Sequence, residues 1–177
     1  MKFIQEDLMK AAKAALEMED EGYKVYNDAA NRSKNILGAT TLKSIAEKEL
    51  LHKKAIENFY AFLTGQNIST VAFSDSSQWS EKIKREIFDH IKGKLEIYSE
   101  KEDFLLKAYE VAMEMEKRGY DFYKNISSST DNPEAKKLFE FLAKEENIHF
   151  EILQDTHLYL SNPAEWFKKE EKWLVEG

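Results

Sequence analysis

The sequence repeats itself at a shift of 97 residues. Residues 15–26 read ALEMEDEGYKVY and residues 112–123 read AMEMEKRGYDFY, with seven of twelve positions identical. At the same shift, AEKELLH at residues 46–52 matches AKEENIH at residues 143–149 in Ala, Glu and His. Each copy of the repeat predicts a helical hairpin with the same apolar face. We expect the two hairpins to bury these faces against each other around a two-fold axis.

Few residues interrupt the helical pattern in either half. Only two prolines and six glycines occur in 177 residues, and Pro133 and Pro163 both stand at the ends of periodic segments. A proline at the first position of a helix costs nothing, and Asp131 or Asn132 would cap the helix that Pro133 begins. Apolar residues recur at steps of three and four in four long segments, which predicts amphipathic helices over residues 3–32, 42–63, 105 up to a stop at 127–130, and 133–162.

A long connection separates the two halves. Residues 65–79 are Ser-rich and have no apolar period, which predicts a loop. Behind a capping Ser80, isoleucine or leucine then recurs every fourth residue, which predicts a short helix with Ile83, Ile87, Ile91 and Leu95 on one face. The sequence therefore predicts an all-α, antiparallel four-helix bundle over residues 1–162, built from two repeated hairpins and a long crossover that contains this short helix.

An aromatic tail follows the bundle over residues 163–177. It is charged but contains Trp166, Phe167 and Trp173. We expect these rings to pack on the chain's own bundle, and the alternatives are that they bridge a dimer or dock a redox partner.

Composition removes several classes of function. Acidic residues outnumber basic ones by 33 to 26, so the chain lacks the positive charge that nucleic-acid binding requires. Cysteine is absent, so any metal must be held by His, Asp or Glu. No stretch approaches the about 18 apolar residues of a membrane span, and residues 1–30 show no apolar signal segment. We therefore expect a cytoplasmic protein with no membrane partner.

Each half carries one glutamate in its first helix and a Glu-x-x-His in its second helix, thirty residues later. Glu and His at positions i and i+3 lie on one face of a helix, and here that face is the apolar one. The neighbouring Glu17 and Glu21 fall on the opposite side and should be solvated. We predict six metal ligands: Glu19, Glu49 and His52 in the first half, and Glu116, Glu146 and His149 in the second.

Four carboxylates that point into one core require cations. A buried carboxylate without a partner is costly, and neighbouring carboxylates repel one another. Two divalent ions cancel the charge of the four glutamates. Carboxylate and imidazole ligands without sulfur suit iron or manganese, whereas zinc binds such ligands but cannot change valence. We expect two iron ions, and manganese and zinc remain alternatives.

Two further residue types recur in both halves. Tyr26 follows the predicted ligand Glu19 by seven residues, and Tyr123 follows Glu116 by the same number. Each tyrosine therefore lies on the same helix face as its glutamate, two turns along. Their hydroxyls are expected to donate hydrogen bonds to ligand carboxylates and so to support catalysis. Gly22 and Gly119 each weaken a helix by about 1 kcal/mol relative to Ala, so we expect them to permit close helix approach.

These motifs resemble those of rubrerythrins, a branch of the ferritin-like superfamily of di-iron carboxylate proteins, over residues 1–162. The resemblance implies a ferritin-like bundle with a di-iron centre, assembled as a homodimer or larger oligomer. It also implies an enzyme that reduces hydrogen peroxide or dioxygen and serves the response to oxidative stress.

Two departures from the rubrerythrin pattern qualify these implications. Full-length rubrerythrins carry a rubredoxin domain with four cysteines that feeds electrons to the iron, whereas this chain has no cysteine. The resemblance therefore implies an external electron-donor protein, such as a rubredoxin. Rubrerythrins also carry a further glutamate three residues after the third-helix ligand, and this chain has Gly119 there. The two metal ions should therefore have similar ligand sets.

Four functional hypotheses follow. The first is a di-iron oxidoreductase that reduces hydrogen peroxide or dioxygen. The alternatives are a ferroxidase or iron-sequestering protein, a manganese catalase-like protein, and a metal-free helical adaptor that uses its aromatic tail.

Overall fold

The computed structural model describes residues 3–66 and 103–176. Within these ranges the chain forms helices and no strand, which confirms the predicted all-α architecture. The short helix predicted behind Ser80 lies outside the described residues. The helices in chain order are α1 (Gln5–Arg32), α2 (Ile36–Leu63), α3 (Asp103–Ser129), α4 (Pro133–Ser161) and α5 (Pro163–Glu176).

The second helix of each hairpin begins at an asparagine cap. The Asn35 side chain accepts a hydrogen bond from the Gly38 backbone N–H at 2.9 Å, and the Asn132 side chain accepts one from Ala135 N–H at the same distance. Each cap satisfies one of the backbone donors left open at a helix start. Of the two predicted capping residues before Pro133, Asn132 is therefore the one used.

Short connections make each hairpin antiparallel. Residues 33–35 join α1 to α2, and residues 130–132 join α3 to α4. Across the hairpins, the Phe3 backbone N–H donates to the Ser129 carbonyl at 2.9 Å, so the start of α1 meets the end of α3. Phe59, late in α2, packs edge-on against Phe139, early in α4. Neighbouring helices are antiparallel throughout, which confirms the predicted ferritin-like four-helix bundle.

Two apolar clusters fill the bundle on either side of its middle. The first contains Leu8 of α1, Leu63 of α2 and Leu138 of α4, and the second contains Leu42 of α2 and Leu105 of α3. The end of α2 and the start of α3 therefore lie at opposite ends of the bundle, as a long crossover requires. Between the clusters lies a layer of buried carboxylates and imidazoles. Among the described helices, none has an apolar stretch able to cross a membrane.

The segment after Pro163 forms α5, which packs on the end of the bundle. Trp166 is 4% exposed and clusters with Leu37 and Tyr159, whose ring meets the indole edge-on at a centroid distance of 5.3 Å. Phe167 lies beside the same tyrosine and is 37% exposed. The bundle thus covers the Trp166 side chain, as expected from the sequence.

Candidate metal centre

The structure brings all six predicted ligands together in the middle of the bundle. The first helix of each hairpin supplies one Glu, and the second helix supplies one Glu-x-x-His. None of the six is more than 5% exposed. Each lies on the apolar stripe of its helix, so the packing that forms the core also carries these side chains inward. The group comprises Glu19 from α1, Glu49 and His52 from α2, Glu116 from α3, and Glu146 and His149 from α4.

Three carboxylates surround the Nδ1 atom of His52. It lies 3.4 Å from Glu19 Oε2, 3.7 Å from Glu49 Oε2 and 3.5 Å from Glu146 Oε1. One ligand atom from each of these four residues falls within 4.8 Å of the others, a spacing that can hold a metal ion. This group draws on α1, α2 and α4.

A second group lies beside the first. His149 Nδ1 is 3.1 Å from Glu49 Oε1 and 3.4 Å from Glu116 Oε2, and the His52 and His149 rings stack at a centroid distance of 5.2 Å. Glu49 and Glu146 each belong to groups with both histidines. These two glutamates thus lie between the two positions, whereas Glu19 and Glu116 lie at the outer sides.

The polar atoms of this layer fit divalent cations. In the described part of the chain, both Glu116 carboxylate oxygens and both His52 nitrogens are buried without a hydrogen-bond partner. The same holds for Glu19 Oε2 and Glu146 Oε1. A buried polar atom left without a partner costs about 1–3 kcal/mol, more for a charged group, so several in one place mark a site built for ions. Oxygen and imidazole donors without sulfur suit iron, manganese or zinc.

The pKa values of the buried glutamates and histidines are shifted because several charged groups lie close together in the core. Burial, with repulsion from Glu49, raises the pKa of Glu19 to about 8. Burial, with repulsion from Glu116 and Glu49, raises the pKa of Glu146 well above its ordinary value. For His149, burial lowers the pKa, but attraction to Glu116 and Glu49 outweighs it and sets the pKa at about 9. Protons therefore compensate the charge where no cation does so.

The two predicted tyrosines each contact the outer glutamate of the other hairpin. The Tyr123 hydroxyl of α3 donates a hydrogen bond to Glu19 Oε1 of α1. Burial, and then the nearby Glu116 carboxylate, raise the pKa of Tyr26 well above its ordinary value. Burial likewise raises the pKa of Tyr123. Both hydroxyls therefore remain protonated donors.

One buried carboxylate of the layer has no counterpart among the predicted residues. Glu145 is 2% exposed, and its Oε2 lies 3.7 Å from His52 Nε2, the nitrogen on the far side of the ring from the other glutamates. The repeat would place Lys48 at this position. The signal in the sequence is the stripe Leu142, Glu145, His149, Ile152, whose steps of three and four put Glu145 on the inward face.

The two glycines next to the centre differ in their surroundings. A Cβ at Gly119 would lie 2.9 Å from Glu146 Oε2, closer than real Cβ contacts allow. A Cβ at Gly22 would meet Tyr26 and Glu49 at 3.5 Å and 3.6 Å, which is ordinary contact. A close contact of the kind predicted for both glycines is therefore present only at Gly119, where the neighbouring group is the Glu146 side chain.

A comparison with protein-family models matches residues 10–157 to the rubrerythrin family. The matched range contains every residue of the buried carboxylate and histidine layer. Neither the curated proteins nor the solved structures that we compared gave a match. The family match agrees with the bundle and with the cluster able to hold metal ions: the chain belongs to the rubrerythrin family.

Proposed function

We propose that this protein is a di-iron oxidoreductase that reduces hydrogen peroxide to water with electrons from an external donor protein. The observation that carries the proposal is the pair of overlapping ligand groups, in which Glu49 and Glu146 are shared between His52 and His149. Two redox-active ions, held by these two ligand groups, would supply the two electrons that cleavage of one O–O bond requires. The family match supports the same function.

The chain's own residues orient the ligands and limit the access of water. Tyr123 fixes one oxygen of Glu19 by hydrogen bonding, which leaves the other oxygen directed toward His52. We propose that Tyr26, whose pKa the nearby Glu116 carboxylate raises, acts in the same way on Glu116. The apolar clusters close the bundle above and below the layer, so substrate must reach it from the side.

The proposed source of electrons is a separate protein. The chain has no cysteine, so it contains none of the thiolate iron sites that serve as donors in full-length rubrerythrins. We propose a rubredoxin-like donor protein that docks on the bundle surface.

Stopped-flow mixing tests the proposal. Protein loaded anaerobically with Fe²⁺ should be oxidised by hydrogen peroxide much faster than free Fe²⁺, with two irons oxidised per peroxide. The matched control is Glu116→Gln, which keeps the size of the side chain and removes one ligand charge. Oxidation no faster than that of free Fe²⁺ would refute the proposal, and release of dioxygen from peroxide would identify the catalase-like alternative.

A further inference from the structure

A cavity of about 310 Å³ opens between α1 and α3 and ends at the carboxylate layer. Glu19, Glu49 and Glu146 form its floor. Because the cavity straddles the two-fold axis of the repeat, its walls come in pairs: Met18, Gly22 and Tyr26 from α1, and Met115, Gly119 and Tyr123 from α3.

The cavity is larger than hydrogen peroxide requires. A water molecule takes about 30 Å³ in the liquid, so 310 Å³ corresponds to about ten waters. Even with metal ions and a few bound waters on the floor, this space accommodates several more non-hydrogen atoms than the two of hydrogen peroxide. The volume lies at the lower end of the range for small-molecule sites, about 300–1,000 Å³.

The walls are apolar and the rim has no net charge. Above the carboxylates, the cavity is lined by the Met18 and Met115 thioethers and by the Phe122 ring, which are flexible or flat surfaces suited to alkyl groups. At the rim, the exposed Glu21 and Arg118 occupy equivalent positions of the repeat and carry opposite charges. Such a rim neither attracts nor repels ions strongly, so the cavity favours an uncharged substrate with a small apolar part.

We propose that the cavity admits organic hydroperoxides with a short alkyl group, and that the protein reduces ROOH as well as hydrogen peroxide. This inference rests on the proposed function. The O–O bond of ROOH breaks, two electrons pass from two ferrous ions, which become ferric, and two protons are taken up, so that one alcohol ROH and one water leave. The alkyl group lies between the two methionines while the peroxide end faces the glutamates.

The test compares turnover of tert-butyl hydroperoxide and hydrogen peroxide by the iron-loaded protein with a chemical or rubredoxin electron donor. In the wild-type protein, kcat/KM for the two peroxides should agree within about tenfold, since the alkyl group fits. Met115→Trp fills the cavity and should lower the ratio of the organic to the inorganic value by at least about tenfold. Val111→Trp, one turn earlier on the same helix, serves as the control because Val111 is 43% exposed and does not line the cavity.

A second measurement does not depend on turnover. Protein labelled with ¹³C in the methionine methyl groups and loaded with Zn²⁺ is titrated with tert-butanol, the product alcohol. The Met18 and Met115 signals should shift and saturate, whereas those of Met9 and Met113, which lie outside the cavity lining, should not.

The outcomes separate this inference from the proposed function. The inference would be overturned, and the proposed function left intact, if hydrogen peroxide is turned over with a kcat/KM more than about tenfold above that of the organic peroxide and neither Met18 nor Met115 shifts. If neither peroxide is reduced, the proposed function fails, and the inferred activity fails with it. Equal ratios in the wild-type and Met115→Trp proteins would show that the cavity does not determine which peroxide is used, which also contradicts the inference.

Discussion

The residue before the Glu-x-x-His motif differs between the two hairpins. In the first it is Lys48, which is half-buried, and in the second it is Glu145, which is 2% exposed and lies 3.7 Å from His52 Nε2. Attraction to Glu145 opposes the burial that lowers the pKa of Lys48. Two helical units with the same three inward ligand positions thus give their histidines different surroundings.

The two ends of the bundle also differ. Tyr109 of α3 donates a hydrogen bond to the Gly38 carbonyl at 2.9 Å, and the equivalent position of α1 is Ala12, which lies in the first apolar cluster and has no hydroxyl. The repeat is therefore retained at the six ligand positions, whereas it is broken at this pair of packing positions. Residues that are identical in the two hairpins but have different neighbours allow the same substitution to be compared at two equivalent positions.

The largest loss of metal affinity should follow replacement of either outer glutamate, Glu19 or Glu116. Glu19→Gln and Glu116→Gln should each weaken binding of one metal ion by more than about 100-fold, the upper range for residues that only support a ligand. The amide keeps the shape but cannot neutralise a cation. Titration with Zn²⁺ against a competing chelator measures both affinities. Glu17→Gln, on the exposed face of α1, is the control, and native affinity for two ions in either variant would exclude these glutamates as ligands.

The next effect is a pH dependence of the metal-free protein. Glu19 has a pKa of about 8 when folded against an ordinary 4.5, and His149 about 9 against 6.5. Both are raised, so the folded state binds more protons than the unfolded state, and its stability should fall as the pH rises from about 5 to 9, by up to about 1.4 kcal/mol per pH unit for each group.

Thermal unfolding in chelator at pH 6, 7, 8 and 9 measures this slope. Zn²⁺-loaded protein should show little slope, because the ions replace the protons, and its metal affinity should rise with pH. Glu19→Gln should remove the contribution of Glu19, which lies between about pH 4.5 and 8, and should leave that of His149, between about pH 6.5 and 9. A melting temperature of the metal-free protein that stays constant over this range would contradict the raised pKa values.

The two glycines provide a third comparison. Gly119→Ala should weaken metal binding by about 10- to 100-fold, because the added Cβ displaces the Glu146 carboxylate. Gly22→Ala should leave metal affinity near that of the wild type, since its Cβ makes only ordinary contacts, and should stabilise the metal-free protein by about 1 kcal/mol through helix propensity. Chelator competition and thermal unfolding give the two quantities, and equal losses of affinity would show that the unequal space is unimportant.

Much of the fold could be predicted from the sequence because its signals are local or repeated. Scarce breakers and apolar steps of three and four indicate the helices, and the shift of 97 residues indicates two equivalent hairpins. The same periodicity pointed Glu49 and His52 inward and Glu17 outward, as the structure has them.

The rest depends on how helices meet, which a single helical pattern does not contain. That Glu49 and Glu146 lie between both histidines follows from the register of α2 against α4. The space for a Cβ atom is smaller at Gly119 than at Gly22 because of the placement of one neighbouring side chain. Glu145 was missed because, in a chain this rich in glutamate, a carboxylate beside a predicted ligand resembles the solvated Glu17. Its place on the stripe of α4 directs it inward, but its approach to His52 depends on how α4 packs against α2.

The smallest expected effect concerns Glu145 itself. Metal-binding histidines usually donate their second ring N–H to a carboxylate or carbonyl, and the 3.7 Å separation of His52 Nε2 from Glu145 is within ion-pair range although longer than a hydrogen bond. Glu145→Gln should therefore weaken the ion bound through His52 by about tenfold and leave the other ion unchanged. Chelator competition measures the affinities, and ¹⁵N spectra of the Zn²⁺-loaded protein report which His52 nitrogen carries the proton.

Lys48→Gln separates this role from the attraction between Lys48 and Glu145. If Glu145 orients His52, Lys48→Gln should keep the metal affinity and the His52 proton position of the wild type, because the carboxylate beside the ring is intact. If the two variants lose affinity equally, the lysine and glutamate act only as a pair that neutralises buried charge, and the difference between the hairpins is electrostatic. Loss confined to Glu145→Gln would instead mean that the second hairpin supports a histidine of the first, with no reciprocal support at Lys48.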